Sequence, residues 1–258
     1  MKILVCLKQV PHRDARLEPR ADGSWIQDDN IKFEINDYDS YAIEAGLRLK
    51  DAGEAEVAVV TIGPDRTTQA LRTALGMGAD RAIQVRDPAL DASDALGIAK
   101  ALAAVARSEK PDLVLMGLMA DDDNLALVGP MLAELAGVPY ATGVVSLEQR
   151  NGGFVVEREL EGGALEVRQL PMPCLLTVQT GINEVRYASL KGIMQAKRKP
   201  LDVLATADLG LGADDVAPRV KLEKLYSPPR GEGAEIIEGS PDEVAAKLVT
   251  RIKELGLL

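Results

Sequence analysis

The segment Gly117-Leu118-Met119-Ala120-Asp121-Asp122-Asp123-Asn124-Leu125-Ala126-Leu127-Val128-Gly129-Pro130 carries the most chemically suggestive spacing in the chain. An apolar run ends at Gly117, a polar turn follows, and a helical pattern begins near Asn124. Unpaired N–H groups and the positive dipole end at such a helix start can hold a phosphate. The three aspartates work against that use, because carboxylates beside a phosphate repel it unless they point away or share a metal. Capping the helix is their plainer role. A second polar cluster, Asn36-Asp37-Tyr38-Asp39, precedes another helical pattern, and capping is the plainer reading there too. Neither a GxGxxG nor a GxxxxGK[ST] fingerprint occurs, so dinucleotide or P-loop binding of the usual kinds is not supported. The single histidine, His12, sits in a Pro-His-Arg-Asp loop with no second histidine to build a metal cluster. No spacing pairs it with a nucleophile, and it reads as a loop residue. No catalytic residue is assigned, and the chain is not expected to be an enzyme by itself.

The elements that must position these residues follow from periodicity. Short apolar strands are expected at 3–7, 57–62, 82–85 and 113–116. Helices are expected at 41–50, 67–75, 94–105 with Ser93 as N-cap, and 124–135 with Gly137 just past the end. Continuous apolar strands separated by helices imply a parallel sheet covered on both faces, an α/β, Rossmann-like arrangement of the adenine-nucleotide-binding type. Ligands of such sheets bind beyond the carboxyl ends of the strands, which points to the loops 8–14, 63–66, 86–91 and 117–129. From 144 the pattern changes: strands at 144–148, 154–160 and 165–170 are joined by Asn151-Gly152-Gly153 and Glu161-Gly162-Gly163, which suit hairpins. One more buried strand is expected at 174–178, then a basic run at 191–199 and a loop-rich stretch at 201–229. An amphipathic helix at 241–255, with Ser240 as N-cap and Gly256 after it, ends the chain. A weakly periodic stretch this long is unusual inside a compact domain. The apolar positions Val220, Leu222, Leu225, Ile236 and Ile237 favour an arm that lies against another subunit. The expected organisation is an α/β domain at 1–200, including the hairpin, and a C-terminal arm and helix at 201–258 that pack on a partner.

Composition narrows the function. Aromatic residues make up only 3%, too few for the stacking platforms of single-strand nucleic-acid binders, and the net charge of -10 would repel a phosphate backbone. Cys6 and Cys174 lie far apart with no paired-thiol spacing, so neither a disulfide nor a zinc site is expected. The N-terminal apolar run is too short for a signal peptide and reads as a buried strand. No apolar stretch approaches the ~20 residues needed to cross a bilayer. A soluble, cytoplasmic protein is expected.

Several stretches together resemble the beta subunit of electron transfer flavoproteins, nearly end to end. They are Leu7-Lys8-Gln9-Val10-Pro11, Leu71-Arg72-Thr73-Ala74-Leu75-Gly76-Met77-Gly78-Ala79-Asp80-Arg81, and the hairpin from Val156 through Gly163 to Pro171-Met172-Pro173-Cys174. The most specific is Asn183-Glu184-Val185-Arg186-Tyr187-Ala188-Ser189-Leu190-Lys191-Gly192-Ile193-Met194-Gln195-Ala196-Lys197-Arg198-Lys199-Pro200. The resemblance implies that the domain at 1–200 is nucleotide-binding and carries a partner-docking loop. It also implies a heterodimer with an alpha subunit that carries the redox FAD, and an AMP of structural role in the beta subunit. It carries AMP contacts onto Cys6, Asn36, Asp37, Tyr38, Asp39, Ile62, Gly117, Ala120, Asp121, Asp122, Asp123, Asn124, Leu127 and Val128. Tyr38 falls where the family has an aromatic close to the flavin ring. Leu190 falls at the tip of the loop that anchors partner dehydrogenases, with Tyr187, Ile193 and Met194 around it. Implied donors are flavin dehydrogenases such as acyl-CoA dehydrogenase, and the implied acceptor is a membrane quinone oxidoreductase. The chain departs from the AMP-binding pattern at Ala126-Leu127-Val128, where those members have Asn-Gln-Thr. Val128-Gly129-Pro130 instead resembles electron-bifurcating members, whose pocket holds a second FAD. AMP is the preferred occupant, a second FAD the alternative. A stand-alone adenine-nucleotide module is the rival outside the family.

Overall fold

Short apolar segments become the centre of the sheet in the computed structural model of the protein, which describes residues 1–229, 231 and 233–258. The strands are β1 (Lys2–Cys6), β2 (Gln9–Pro11), β3 (Phe33–Ile35), β4 (Glu56–Ile62), β5 (Arg81–Val85), β6 (Leu113–Gly117), β7 (Tyr140–Arg150), β8 (Gly153–Glu159), β9 (Leu165–Pro171), β10 (Cys174–Val178) and β11 (Leu201–Leu204). The helices are α1 (Asp37–Ala52), α2 (Thr68–Met77), α3 (Ala95–Glu109), α4 (Val128–Ala136), α5 (Leu190–Ala196), α6 (Ala213–Val216) and α7 (Pro241–Glu254). Among the described residues one sheet of nine strands runs β11-β5-β4-β1-β6-β10-β7-β8-β9, and β2 pairs with β3 separately. Every pairing from β11 to β7 is parallel, and β7-β8-β9 are antiparallel. The mostly parallel sheet with a hairpin extension is thus as the sequence pattern implies.

The strands read as continuous apolar runs because both faces are buried. Ile3, Val5, Val57, Val59, Leu113 and Leu115 pack under α1 and α2 in one core. Their neighbours Leu4, Cys6, Ala58, Val60, Val114 and Met116 face α3 and α4 in a second. The chain leaves β1 for β4 and β5 on one side, then crosses to β6 on the other. The topological switch therefore lies between β1 and β6, and that junction positions the site.

Several boundaries differ from expectation, each for a local reason. α1 starts at Asp37 rather than 41, with Asn36 at the N-cap position. α3 is capped by Asp94, not Ser93: the Asp94 carboxylate accepts N–H bonds from Leu96 and Gly97 at 3.1 Å each. α4 begins at Val128 rather than near Asn124, because Asn124 (φ 52°) and Ala126 (φ 53°) are left-handed and interrupt a helix. Gly137 (φ 68°) ends α4 as expected. The stretch expected to be loop-rich contributes β11, which extends the sheet beyond β5, and α6. The short β2–β3 ribbon was not expected, since each strand is only three residues long.

The described residues divide into two units, one of Met1–Leu17 and Gln27–Leu222, the other of Glu18–Ile26 and Glu223–Leu258. In the smaller unit Pro19 bridges Ile26, Leu225 donates its N–H to Gly23, and α7 starts with the Glu243 carboxylate accepting the Ser240 N–H. No helix among the described residues is long and apolar enough to cross a membrane.

Candidate functional site

At the switch point a cavity of about 290 Å³ opens beyond the carboxyl ends of β1 and β6. Of the residues singled out from sequence, it brings together Cys6, Asn36, Asp39, Ile62, Gly117, Ala120, Asp123, Leu127 and Val128. Asp37, Tyr38, Asp121, Asp122 and Asn124 stand outside its lining. Further walls come from Leu7, Lys8, Met116, Leu118, Met119, Leu125, Ala126 and Gly129, and from the first turns of α3 through Ser93, Asp94, Ala95, Ile98 and Leu102. That α3 contribution escaped the sequence reading. Its available signal was the i, i+4 spacing of Asp94, Ile98 and Leu102 on a helix that starts beside the sheet.

The loops around the cavity are held by polar groups that sequence inspection would assign to capping. Asn36 does not cap its own helix: its side-chain amide donates to the Met119 carbonyl at 2.9 Å and its Oδ1 accepts the Asp121 N–H at 2.9 Å. Asp39, 5% exposed, accepts the Lys8 N–H at 2.7 Å and the Gly117 N–H at 2.8 Å, tying the ends of β1 and β6 to α1. Burial pushes its carboxyl up to about 7, against the two amide hydrogen bonds, which favour the anion. Gly117 is required there by close approach. A Cβ would lie 2.5 Å from the Tyr38 Cβ and 2.6 Å from Asp39 Oδ1.

The aspartate run is also accounted for. Asp121 accepts the Asp37 N–H at 3.1 Å, and the Lys8 ammonium lies 2.6 Å from Asp122 Oδ1 and 3.0 Å from Asp123 Oδ2. Asp123 Oδ1 accepts the Leu125 N–H at 3.0 Å. None of the three caps α4, whose start has no side-chain cap. Backbone N–H groups flanking left-handed residues form concavities that suit anions. The uncapped start of α4 and the apolar Ile62, Ile98, Leu102 and Met116 share one lining, which is compatible with a phosphate and an aromatic base. Cys6 is buried, and burial followed by the nearby Asp39 charge pushes its thiol well above the usual range, so it packs as an inert apolar group. Burial pushes the Cys174 thiol up to about 12.

A second candidate region lies on α5 and the segment before it. Glu44 of α1 is 2% exposed and takes a two-pronged ion pair from Arg186, at 2.7 and 3.1 Å, with Arg48 at 2.9 Å. The next residue, Tyr187, is 95% exposed, and Leu190 (83%), Ile193 (49%) and Met194 (73%) follow at i, i+3 and i+4 along α5. Four large side chains within eight residues are thus left exposed, one just before α5 and three on it. The opposite side of α5 lies on α2 through Gly76 and Gly192, where a Cβ on Gly192 would sit 2.2 Å from the Gly76 carbonyl oxygen. Arg72 of α2 donates to the Ala196 and Lys199 carbonyls at the end of α5, and Lys199, three residues beyond α5, donates to those of Leu75 and Ala79 at the end of α2. Lys199 of the basic run is therefore turned inward, whereas Lys197 and Arg198 are exposed.

A parallel β5-β4-β1-β6 core with a cavity at its switch point defines the class as a doubly wound α/β protein of the kind that binds ligands there. Residues 24–209 match the model of the electron transfer flavoprotein domain. The chain is 38% identical to the electron transfer flavoprotein subunit beta of Methylophilus methylotrophus, over 98% of both chains. It is 39% identical to the subunit of the same name from Bradyrhizobium diazoefficiens, over 100% of both. It is also 36% identical, over 100% of both, to the caffeyl-CoA reductase-Etf complex subunit CarD of Acetobacterium woodii. The chain belongs to the electron transfer flavoprotein family, as a beta subunit that acts in electron transfer with an alpha subunit and in association with flavin.

Proposed function

We propose that this subunit carries an AMP in the switch-point cavity and forms one wall of the site for a single redox FAD held mainly by the alpha subunit. The FAD supplies the one-electron chemistry. The chain's own residues orient, bind and exclude water. The observation that carries the AMP reading is the cavity's size: about 290 Å³ lies just below the ~300–1,000 Å³ usual for ligand sites, which favours a mononucleotide over a flavin dinucleotide. The uncapped start of α4 supports a phosphate there without the Asn-Gln-Thr side chains, because backbone amides suffice. Cys6, Asn36, Asp39, Ile62, Gly117, Ala120, Asp123, Leu127 and Val128 are the contacts by this reading. Asp37, Asp121, Asp122 and Asn124 act behind them by fixing the turn. Tyr38 and the loop 11–14 face the flavin.

Electrons enter from flavin dehydrogenases such as acyl-CoA dehydrogenase, which engage Tyr187, Leu190, Ile193 and Met194, and leave to a membrane quinone oxidoreductase. Burying one leucine contributes ~1.5–3 kcal/mol, enough to orient a partner and too little to trap it. Of residues 201–258, the part beyond Leu222 serves as the arm that packs on the alpha subunit, since 201–222 belong to the unit that holds the sheet, and the cytoplasm is the expected compartment. A second FAD in place of AMP is favoured by one observation, the Val128-Gly129-Pro130 sequence at the start of α4.

Co-expression with the alpha subunit, denaturation and identification of the released ligands tests these readings. One FAD and one AMP per heterodimer is the expected result, and two FAD would replace the AMP reading with the second. Tyr38→Ala should shift the flavin's reduction potential without unfolding the heterodimer; an unchanged potential and transfer rate would remove Tyr38 from the flavin wall.

A further inference from the structure

We infer that Lys8 is the residue that lets this cavity accept an anionic ligand group, by neutralising the aspartate turn and offering its remaining donor to a phosphate monoester. The inference rests on the nucleotide reading of the cavity and assigns the charge balance that reading needs. Three successive carboxylates beside a phosphate site are a physical contradiction unless each is occupied. The structure occupies them unequally. Asp121 is held by a backbone amide, whereas Asp122 and Asp123 share one cation, the Lys8 ammonium, at 2.6 and 3.0 Å. Lys8 and Asp123 both line the cavity, so this cluster borders the ligand space itself.

The lysine's backbone is fixed from both sides. Its N–H donates to Asp39 at 2.7 Å, and its carbonyl accepts the Asn36 N–H at 2.9 Å. An ammonium has three donors, and the two carboxylates take two of them. Burial disfavours the charged amine, but the bonds and charges of Asp122 and Asp123 outweigh it and raise the Lys8 pKa, so the cation persists at neutral pH. Removing the ammonium would leave two adjacent carboxylates without a cation beside the cavity. A dianionic phosphate would meet that charge, whereas a neutral nucleoside would not.

The test uses the heterodimer of the full chain with its alpha subunit, stripped of bound nucleotide, and titrates AMP and adenosine by calorimetry. Lys8→Met should weaken AMP by about tenfold or more, equivalent to ~1.4 kcal/mol, while adenosine affinity stays within about twofold. Lys8→Arg should restore AMP binding, and Asp122→Asn should tighten it. The Lys8→Met deficit should shrink at high salt, since charge effects at a partly exposed cluster are screened. Unchanged AMP affinity in Lys8→Met, or equal loss of AMP and adenosine as from a merely structural contact, overturns the inference. An unsubstituted heterodimer that binds neither ligand overturns the nucleotide reading as well, so the two failures are distinguishable.

Discussion

Substituting Arg186 by methionine removes its ion pairs with the buried Glu44 and with the exposed Asp51, the latter at 2.7 Å, and the double-mutant cycle with Glu44 separates the first from the second. Arg186 donates two hydrogen bonds to the Glu44 carboxylate at 2.7 and 3.1 Å, and Glu44 is 2% exposed. Removing one partner of a buried ion pair usually costs about 3–5 kcal/mol, because the remaining charge is left uncompensated. Two features reduce that figure here: the Arg186 side chain is 34% exposed, and Arg48 still reaches Glu44 at 2.9 Å. The expected loss is about 2–3 kcal/mol, and Glu44→Gln in the same background should recover at least half of it. Urea unfolding of the heterodimer at fixed protein concentration, analysed as a double-mutant cycle, measures the coupling. Because Tyr187 follows Arg186 directly, Arg186→Met should also raise the KM for a dehydrogenase partner while leaving kcat unchanged. A coupling energy below about 0.5 kcal/mol would show that the two residues are independent and refute the reasoning.

Three further outcomes are expected. Gly117→Ala should destabilise by about 2–4 kcal/mol, through overpacking against Tyr38 and loss of the Asp39 hydrogen bond, measured by thermal or urea unfolding; a near-neutral effect would mean that the β6 end yields easily. The raised Asp39 pKa favours the folded state fully below about pH 4, and that stability is lost as pH rises through about 7, amounting to roughly 4 kcal/mol at most. Asp39→Asn should flatten this dependence in unfolding curves between pH 5 and 8, and an unaltered slope would assign it to other groups. Leu190→Ala should leave stability within about 0.5 kcal/mol, since the side chain is 83% exposed, and raise the dehydrogenase KM by roughly tenfold or more; an unchanged KM would exclude Leu190 from docking.

The sequence alone determined the parallel sheet, because residues 3–7, 57–62, 82–85 and 113–116 are apolar on both faces save Thr61 and Gln84, and only burial on both sides accounts for that. It determined the hairpin too, where Asn151 and Gly152 take the positive φ that a tight turn requires. The edge strand β11 was not legible. An edge strand's side chains are half exposed, so it has no apolar run to announce it, and its partner β5 lies more than 100 positions away. Tertiary structure also decided what the polar residues of the site do. Asn36, Asp39 and Asp121 to Asp123 are all residues that cap helices in local sequence terms. Instead they hydrogen-bond across 31 to 115 positions, because β1, β6 and α1 converge at the switch point and leave backbone amides there that need acceptors. Periodicity is a local property and so was readable; which carboxylate meets which amide depends on the topology that brings distant strand ends together.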